Sequence, residues 1–472
     1  MGALALSAEQ WIEAPPSAVF DLVGSGAGAG WLFDTVCDRL APGAAVALRA
    51  PLGGPTVELL GRIARIRRPG RIEIHLDVPW RGRLRLLFDA EGTGTRVRVV
   101  ADLDEDGLRW LMRRRGYLVT EPTDRRDHLL GLLTSKSGPG SVFAAATANL
   151  AAMAVDEVNA EGGIRGRTLR LVVGDDGTNP EWGAAEARRL VLGGCRTILA
   201  GTTSATYARV SDALRGDGVL LVHAVMNEGG QGGELRIRLG ERPYQQLKAA
   251  AGPVMRAADG RRWFLAGNDY VWPRAVHACA RRVVDERRGS VVGEAYAPLG
   301  TRDFTPVAEA VLASGADVVL SSFVGADLVA FERQCHAMGL RERAQTLALT
   351  LDEPTRERIG DVAATGMRGI AGYFEQLPDV ANAEFLRRYR RAFGAFAPPV
   401  GSISEAVYEA VHLYAAAARR AGEDEPRTVA RELRRSRAEF PRGTVTVSGP
   451  ETVTQQLYLA EATAGGFAVT PS

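Results

Sequence analysis

From His128 onward, short apolar runs alternate with amphipathic stretches, and that rhythm leaves little room for anything but parallel sheets flanked by helices. LLGLLTS (129–135) is nearly continuous apolar sequence, as a strand buried on both faces requires. Ser141 is placed to cap the next helix, on which Phe143, Thr147, Leu150, Ala154 and Val158 share one face, and Gly162-Gly163 end it. LRLVVGDD, EWGAAEARRLVLGG, TILAG, ATYARVSDALRG and GVLLVHA then read as strand, helix, strand, helix, strand. A second cycle of similar size starts near Tyr244 and runs through QQLKAAAGPVMRAA, WFLAG, GSVVGEAYAPL, PVAEAVLASG, ADVVLSSF and DLVAFERQCHAMG. Two cycles predict an α/β protein of two Rossmann-like lobes, with lobe 1 at about 128–240 and 375–440 and lobe 2 at about 241–374 and 441–472.

Residues 1–118 follow a different, β-rich pattern. ALSAEQWIEAP alternates like a strand, Pro15-Pro16-Ser17 starts a short helix, and Ile72, Ile74, Leu76 and Val78, then Val97 and Val99, keep a period of two. GLRWLMRRRGY reads as a closing helix, and the polar VTEPTDRRD (119–127) as a linker. Gly24 to Gly30 has G-x-G-x-G spacing and follows a helix, whereas a dinucleotide cradle needs G-x-G-x-x-G after a strand, so it reads as a connector. WIEAPPSAVFDLV, the antiparallel strands, TGTRVRVVADLD and a last helix together resemble the polyketide cyclase/START-like helix-grip superfamily. That resemblance implies a small α+β domain whose curved sheet wraps a helix around an apolar pocket.

Composition narrows the function. A length of 472 residues allows two or three domains, and 46% apolar with 24% charged residues is globular composition. A net charge of +2 argues against nucleic acid as a direct partner. Cys37, Cys195, Cys279 and Cys335 have no zinc-like spacing and read as free thiols. MGALALSAEQWIEAPP lacks the basic and apolar regions of a signal peptide, and no run of about 18 apolar residues suggests membrane insertion. These features point to a cytoplasmic location.

LLTSKSGPGSVFAAATANLAAMAVDEVNAEGGIRGRTLRLVVGDDGTNPEWGAAEARRLV resembles the opening of the type I periplasmic-binding family, near its leucine/isoleucine/valine-binding receptors. The markers are Ser137-Gly138-Pro139, the helix end Asn159 to Ile164 with Gly166, and Asp175-Asp176. GNDYVWPRAV, EAYAPLGTRDFTPV, SSFVGADLVAF and Tyr373-Phe374 resemble its amide- and urea-binding branch, which includes transporter receptors and a cytosolic amide sensor.

Loops after parallel strands are where open α/β sheets bind ligands, and several such loops carry candidate residues. Thr202, Thr203 and Ser204 precede a helix, where they either cap its N-terminus or bind a ligand oxygen there; Ser204 matches the family's pocket serine, which favours the ligand role. His223, Val225 and Met226 follow VLLV. Amide- and urea-binding relatives usually have Tyr and Thr in that loop, so His223 and Val225 are a departure that weakens simple amides or urea as the ligand. Asn268 and Tyr270 follow WFLAG, and Tyr270 matches an aromatic that closes over the ligand from lobe 2. Phe323-Val324-Gly325 would form the pocket floor, with Val324 and Gly325 as contacts, and Tyr373 falls where a crossover between lobes is expected.

Neighbouring carboxylates on an extended chain diverge, so Asp175-Asp176 reads as a loop and cap element, and no metal or cofactor is expected. There is no G-x-S-x-G, H-E-x-x-H or P-loop, and the reading is of a binding protein, not an enzyme. The expected function is lobe closure on a small polar ligand (amide, urea or amino-acid-like) that signals to a protein partner such as a regulator, kinase or permease; a homodimer is compatible with it. A second reading makes residues 1–118 a cyclase- or hydrolase-like or apolar-ligand-binding domain regulated by the receptor, with His75, Asp77 and Trp80 on one strand. A third is a transport receptor exported by an unrecognised route.

Overall fold

In the computed structural model the chain divides into two compact units, Met1–Thr123 and Asp124–Ser472. The structure describes residues 4–471 except 24–32, 34, 38, 53–56, 104–106, 108, 109, 111–126, 231 and 452.

The first unit is an antiparallel sheet of β1 (Leu4–Ile12), β2 (Val36–Cys37), β3 (Ala45–Ala50), β4 (Val57–Arg67), β5 (Arg71–Val78), β6 (Gly82–Glu91) and β7 (Gly94–Leu103), in the order β1-β7-β6-β5-β4-β3-β2. Pro16, with its φ already helical, opens a short helix to Asp21. Side-chain alternation sends Ile72, Ile74 and Leu76, Leu84, Leu86 and Phe88, and Val97, Val99 and Ala101 into one core with Val19 and Phe20 of that helix. His75 and Asp77 are exposed, while Trp80 is buried with its ring centroid 4.5 Å from that of Trp110. The Gly24–Gly30 run lies outside the described residues. So do the expected closing helix, apart from Gly107 and Trp110, and the 119–127 linker, apart from Asp127.

The second unit holds two α/β lobes. Lobe 1 is a parallel sheet of β8 (His128–Thr134), β9 (Leu169–Asp175), β10 (Thr197–Gly201), β11 (Leu220–His223) and β12 (Arg236–Arg238), ordered β12-β11-β10-β8-β9. Lobe 2 runs parallel through β13 (Arg262–Asn268), β14 (Ser290–Ala297), β15 (Val318–Ser322), β16 (Gln345–Ala348) and β17 (Arg368–Ala371). A small sheet follows, β18 (Arg437–Phe440), β19 (Gly443–Val447) and β20 (Val453–Thr454); then β21 (Tyr458–Thr463) and β22 (Gly466–Pro471) add antiparallel strands beyond β17. Lobe 2 explains its apolar strands directly. Phe264, Ala266 and Val319 fill the core on one sheet face, and Trp263, Leu265, Val318 and Leu320 the core on the other.

Three details differ from the sequence reading. Ser141 lies inside a 3-10 turn, Pro139–Phe143, so Phe143 precedes the Ala144–Ala160 helix and Ser141 is not its cap. The segment Pro139–Ala160 is apolar and long enough to cross a membrane by composition, yet Leu150, Ala154 and Val158 are buried in the lobe 1 core. Residues 441–454, assigned to lobe 2 from sequence, belong to lobe 1: Val445, Val447 and Val453 join the core of Leu130, Val407 and Val411. That core also takes in Tyr373. Burial of these valines on the Ser402–Ala421 helix outweighs their place in the chain order.

Candidate functional site

Parallel strands end together, and here their ends face a cleft between the lobes. The cleft encloses about 560 Å³ of empty space, part of it open to solvent, and both lobes line it. Lobe 1 contributes Thr134 and Ser135 at the end of β8, Gly201 to Ser204 at the end of β10, and Val225 and Met226 after β11. Gly140 and Phe143 come from the 3-10 turn and Ile403 from the long helix Ser402–Ala421. Lobe 2 contributes Tyr270 and Trp272 after β13, Val324 after β15 and Thr350 after β16.

The capping question at the β10 loop has a definite answer. Thr203 is the N-cap of the Ser204–Ala213 helix, its hydroxyl accepting from the Thr206 N–H at 3.3 Å. Ser204 therefore stands at the first helical position, lines the cleft and is free of the cap role. The first N–H groups of a helix lack intrahelical acceptors and carry partial positive charge, so this end of the cleft favours a ligand oxygen. From lobe 2, the Trp272 Nε1 is buried without a protein partner. Burial, with Glu228 and Asp327 adding to it, pushes the Tyr270 hydroxyl well above its usual range, so it stays a neutral donor.

Seven of the sequence candidates meet in the cleft: Thr202, Thr203, Ser204, Val225, Met226, Tyr270 and Val324. The other four stand behind it. His223 is buried, stacks on Tyr207 at 4.4 Å between centroids, and its Nε2 lies 2.9 Å from the Thr202 carbonyl oxygen. Burial lowers its pKa to about 4, so the neutral ring donates to that carbonyl and holds the Thr202 loop. Asn268 donates to Asp327 at 2.7 Å and accepts from the Val324 N–H at 3.0 Å, which fixes the β15 loop. Tyr373 is fully buried in the lobe 1 core and donates to Asn382 at 2.9 Å. Asp175 accepts from the Lys136 and Ser137 N–H groups, while Asn179, not either aspartate, caps the Pro180–Leu192 helix.

Gly325 has a different task. Its φ is +60°, and a Cβ there would lie 2.2 Å from the Pro139 carbonyl oxygen of the opposite lobe. The two lobes thus touch at Pro139 and Gly325, and the cleft is described in a closed form. Residues that sequence reasoning passed over include Thr134, Ser135 and Thr350. All three stand at or just beyond the ends of parallel strands, so the strand-end rule could have found them. Phe143 and Ile403 carry no such signal.

The chain passes between the lobes at 239–242, after β17 at Ala371, and at 455–457 before β21. One buried ionic cluster ties these passages together. Glu241 Oε1 accepts from the Gly372 N–H at 2.8 Å and pairs with Arg442 Nη1 at 3.1 Å. Arg442 also pairs with Glu409, stands 3.6 Å from Glu405, and its carbonyl accepts from the Tyr458 hydroxyl at 2.9 Å. All four charged side chains are at most 3% exposed. Burial, and then the neighbouring Glu409, push the Glu405 carboxyl well above the ordinary glutamate value of 4.5. A carboxyl raised on folding stabilises the protein fully below its unfolded value and loses that contribution as pH rises through the folded value. Glu405→Gln, which imitates the protonated acid, is therefore expected to flatten the fall in melting temperature with pH above 4.5. An unchanged slope in calorimetry across that range would remove Glu405 from the titration.

Two lobes, hinge passages that share one ionic cluster, and a cleft walled from both sides define a hinged binding protein. The chain belongs to the periplasmic binding protein family, whose sequence profile matches residues 129–466. It is 28% identical to the Leu/Ile/Val-binding protein BraC3 of Rhizobium johnstonii over 43% of this chain, a match that spans 56% of the relative's length. It is 24% identical to the Leu/Ile/Val-binding protein homolog 3 of Brucella melitensis, over 65% of this chain and 83% of the relative. Among solved structures, a solute binding protein of an R. palustris ABC transporter, in complex with 4-hydroxybenzoate, superimposes with TM-score 0.66 at 21% identity, covering 73% of this chain and 95% of that one. The Streptococcus pneumoniae substrate binding protein LivJ, in complex with isoleucine, gives TM-score 0.66 at 18% identity over 73% and 99%. These two likenesses establish the fold.

Family membership corrects one expectation. The cytoplasmic location inferred from the N-terminal stretch is overturned, because the matching family is that of periplasmic binding proteins. The family is also one of binding proteins, not of enzymes.

Proposed function

We propose that this chain is a solute receptor whose lobes close on a small ligand, with an oxygen head group of the ligand at the N-terminus of the Ser204–Ala213 helix. The observation that carries this reading is the single cleft lined by Ser204 from one lobe and by Tyr270 and Trp272 from the other. A ligand that touches both walls binds the closed form better than the open one, and that difference drives closure. The relatives' names, Leu/Ile/Val-binding proteins, and the 4-hydroxybenzoate and isoleucine in the solved structures support a small, oxygen-headed molecule. The output is recognition of the closed form by a protein partner. Kinship with ABC transporter receptors favours a membrane permease over a soluble regulator.

A thermal-shift panel of amides, ureas, amino acids and aromatic acids at millimolar concentration tests this reading. At least one class is expected to raise the melting temperature, since a ligand that binds only the folded state stabilises it. Ser204→Ala and Tyr270→Ala should each weaken the hit about tenfold, the loss of roughly one hydrogen bond or one aromatic contact. Undiminished affinity in both variants would move the site elsewhere.

A further inference from the structure

Thr178 stands where a β-branched residue rarely does: its φ is +57°, in the left-handed region. Such strain persists only where the surroundings over-determine it, and it gathers where a mechanism uses it. Glycine, which occupies the preceding position 177 at φ +58°, would be unstrained there. What threonine adds is Oγ1, and that atom makes two bonds. It accepts from the Gly140 N–H at 2.9 Å and donates to the Ser137 carbonyl oxygen at 3.0 Å. The Asp176 carboxylate fixes Thr178 in turn, accepting from its N–H at 2.9 Å. Gly138, at φ +74°, allows the close approach, since a Cβ there would lie 2.3 Å from the Gly177 carbonyl oxygen.

One hydroxyl therefore clamps both ends of the segment 137–140, and Pro139 lies between them. Pro139 is the lobe 1 residue whose carbonyl oxygen meets Gly325, where a Cβ would lie 2.2 Å away. Gly300 of lobe 2 approaches it as well, its Cβ position 4.0 Å from the Pro139 ring. Gly140 lines the cleft, whereas Thr178 does not and is only 6% exposed. From this geometry we infer that Thr178 is a positioning residue for ligand capture: without lining the cleft, it holds the Pro139 carbonyl where lobe 2 seats on closure. The inference rests on the receptor reading above and assigns that reading a residue behind the cleft wall. The bonds of the clamp lie wholly within lobe 1, so the turn is ordered before the lobes meet. Without the clamp, closure has to order the turn each time, and that cost falls on affinity.

Two experiments on the full chain test the clamp. Hydrogen exchange without ligand, read by mass spectrometry, follows residues 136–143. Thr178→Val keeps the branched shape but removes both bonds, and is expected to speed exchange there about tenfold, while Thr178→Ser exchanges like the wild type. Unchanged exchange in Thr178→Val would overturn the clamp. Isothermal titration then uses isoleucine and 4-hydroxybenzoate as probes. Thr178→Val and Thr178→Gly are each expected to lose about tenfold in affinity, the scale of one to two neutral hydrogen bonds, and Thr178→Ser to stay within about twofold. Because Thr178→Gly relieves the strained φ, wild-type affinity in that variant would overturn the role of the hydroxyl. Thr178→Val with Gly325→Ala is expected to bind no more weakly than Gly325→Ala alone, since a released Pro139 carbonyl yields to the added methyl. Losses that multiply would overturn the positioning role and leave the receptor reading standing. If the wild type binds neither probe, the compound with the largest thermal shift in the panel above replaces them. A panel without a hit overturns the receptor reading and the capture role together.

Discussion

Gly325→Ala is expected to weaken ligand binding 10- to 100-fold and to leave the protein in an open form. The added methyl would lie 2.2 Å from the Pro139 carbonyl oxygen, a backbone atom of the other lobe that has no rotamer to move away. Overpacking of this kind costs about 1–3 kcal/mol, and because the contact exists only when the lobes meet, the cost falls on closure, where 1.4 kcal/mol is tenfold in affinity. A separate cost of about 1–2 kcal/mol arises because φ at residue 325 is +60°, but it is shared by both forms and lowers stability without affecting affinity. Small-angle scattering and calorimetric titration read the two effects together. A variant that scatters like the wild type at saturating ligand, with unchanged affinity, would show that the lobes do not meet at this point.

Arg442→Met is expected to lower the melting temperature by roughly 10 °C, the consequence of about 3–5 kcal/mol lost from a domain of this size. The arginine pairs with Glu241 and Glu409 and stands 3.6 Å from Glu405 in a region at most 3% exposed, so its removal leaves buried carboxylates without their counter-charge. A double variant, Arg442→Met with Glu409→Gln, should recover part of the loss, since one of the stranded charges is gone. If differential scanning calorimetry finds the single variant within 2 °C of wild type, the cluster is a minor contributor to the hinge. Because Glu241 also holds the Gly372 N–H and Arg442 holds Tyr458, this cluster joins the passages on which closure turns.

Much of this molecule was written in local pattern. Continuous apolar strands and helices with a period of 3.6 need only neighbouring residues to be recognised, so the alternating cycles and the two lobes were legible. The loops after β10, β11, β13 and β15 were legible for the same reason, and seven of their candidate residues meet in the cleft. What sequence could not supply was depth. His223 and Asn268 sit on the same loops as true wall residues, but point back into the protein, where one holds Thr202 and the other Val324. Whether a loop side chain faces a cavity or its own backbone depends on the packing beneath it, which has no periodicity to read.

By itself, then, the sequence determined the α/β architecture, the kinship with hinged receptors and the β10 loop with Ser204, because strand burial and strand-end geometry are local properties of the chain. Only the tertiary structure decided that residues 441–454 pack on lobe 1, that Ile403 and Phe143 close the cleft, that Gly325 meets Pro139, and that no charged side chain among the described residues lines the wall. Each of those depends on contacts between segments far apart in sequence, where burial and charge compensation, not local spacing, choose the partner.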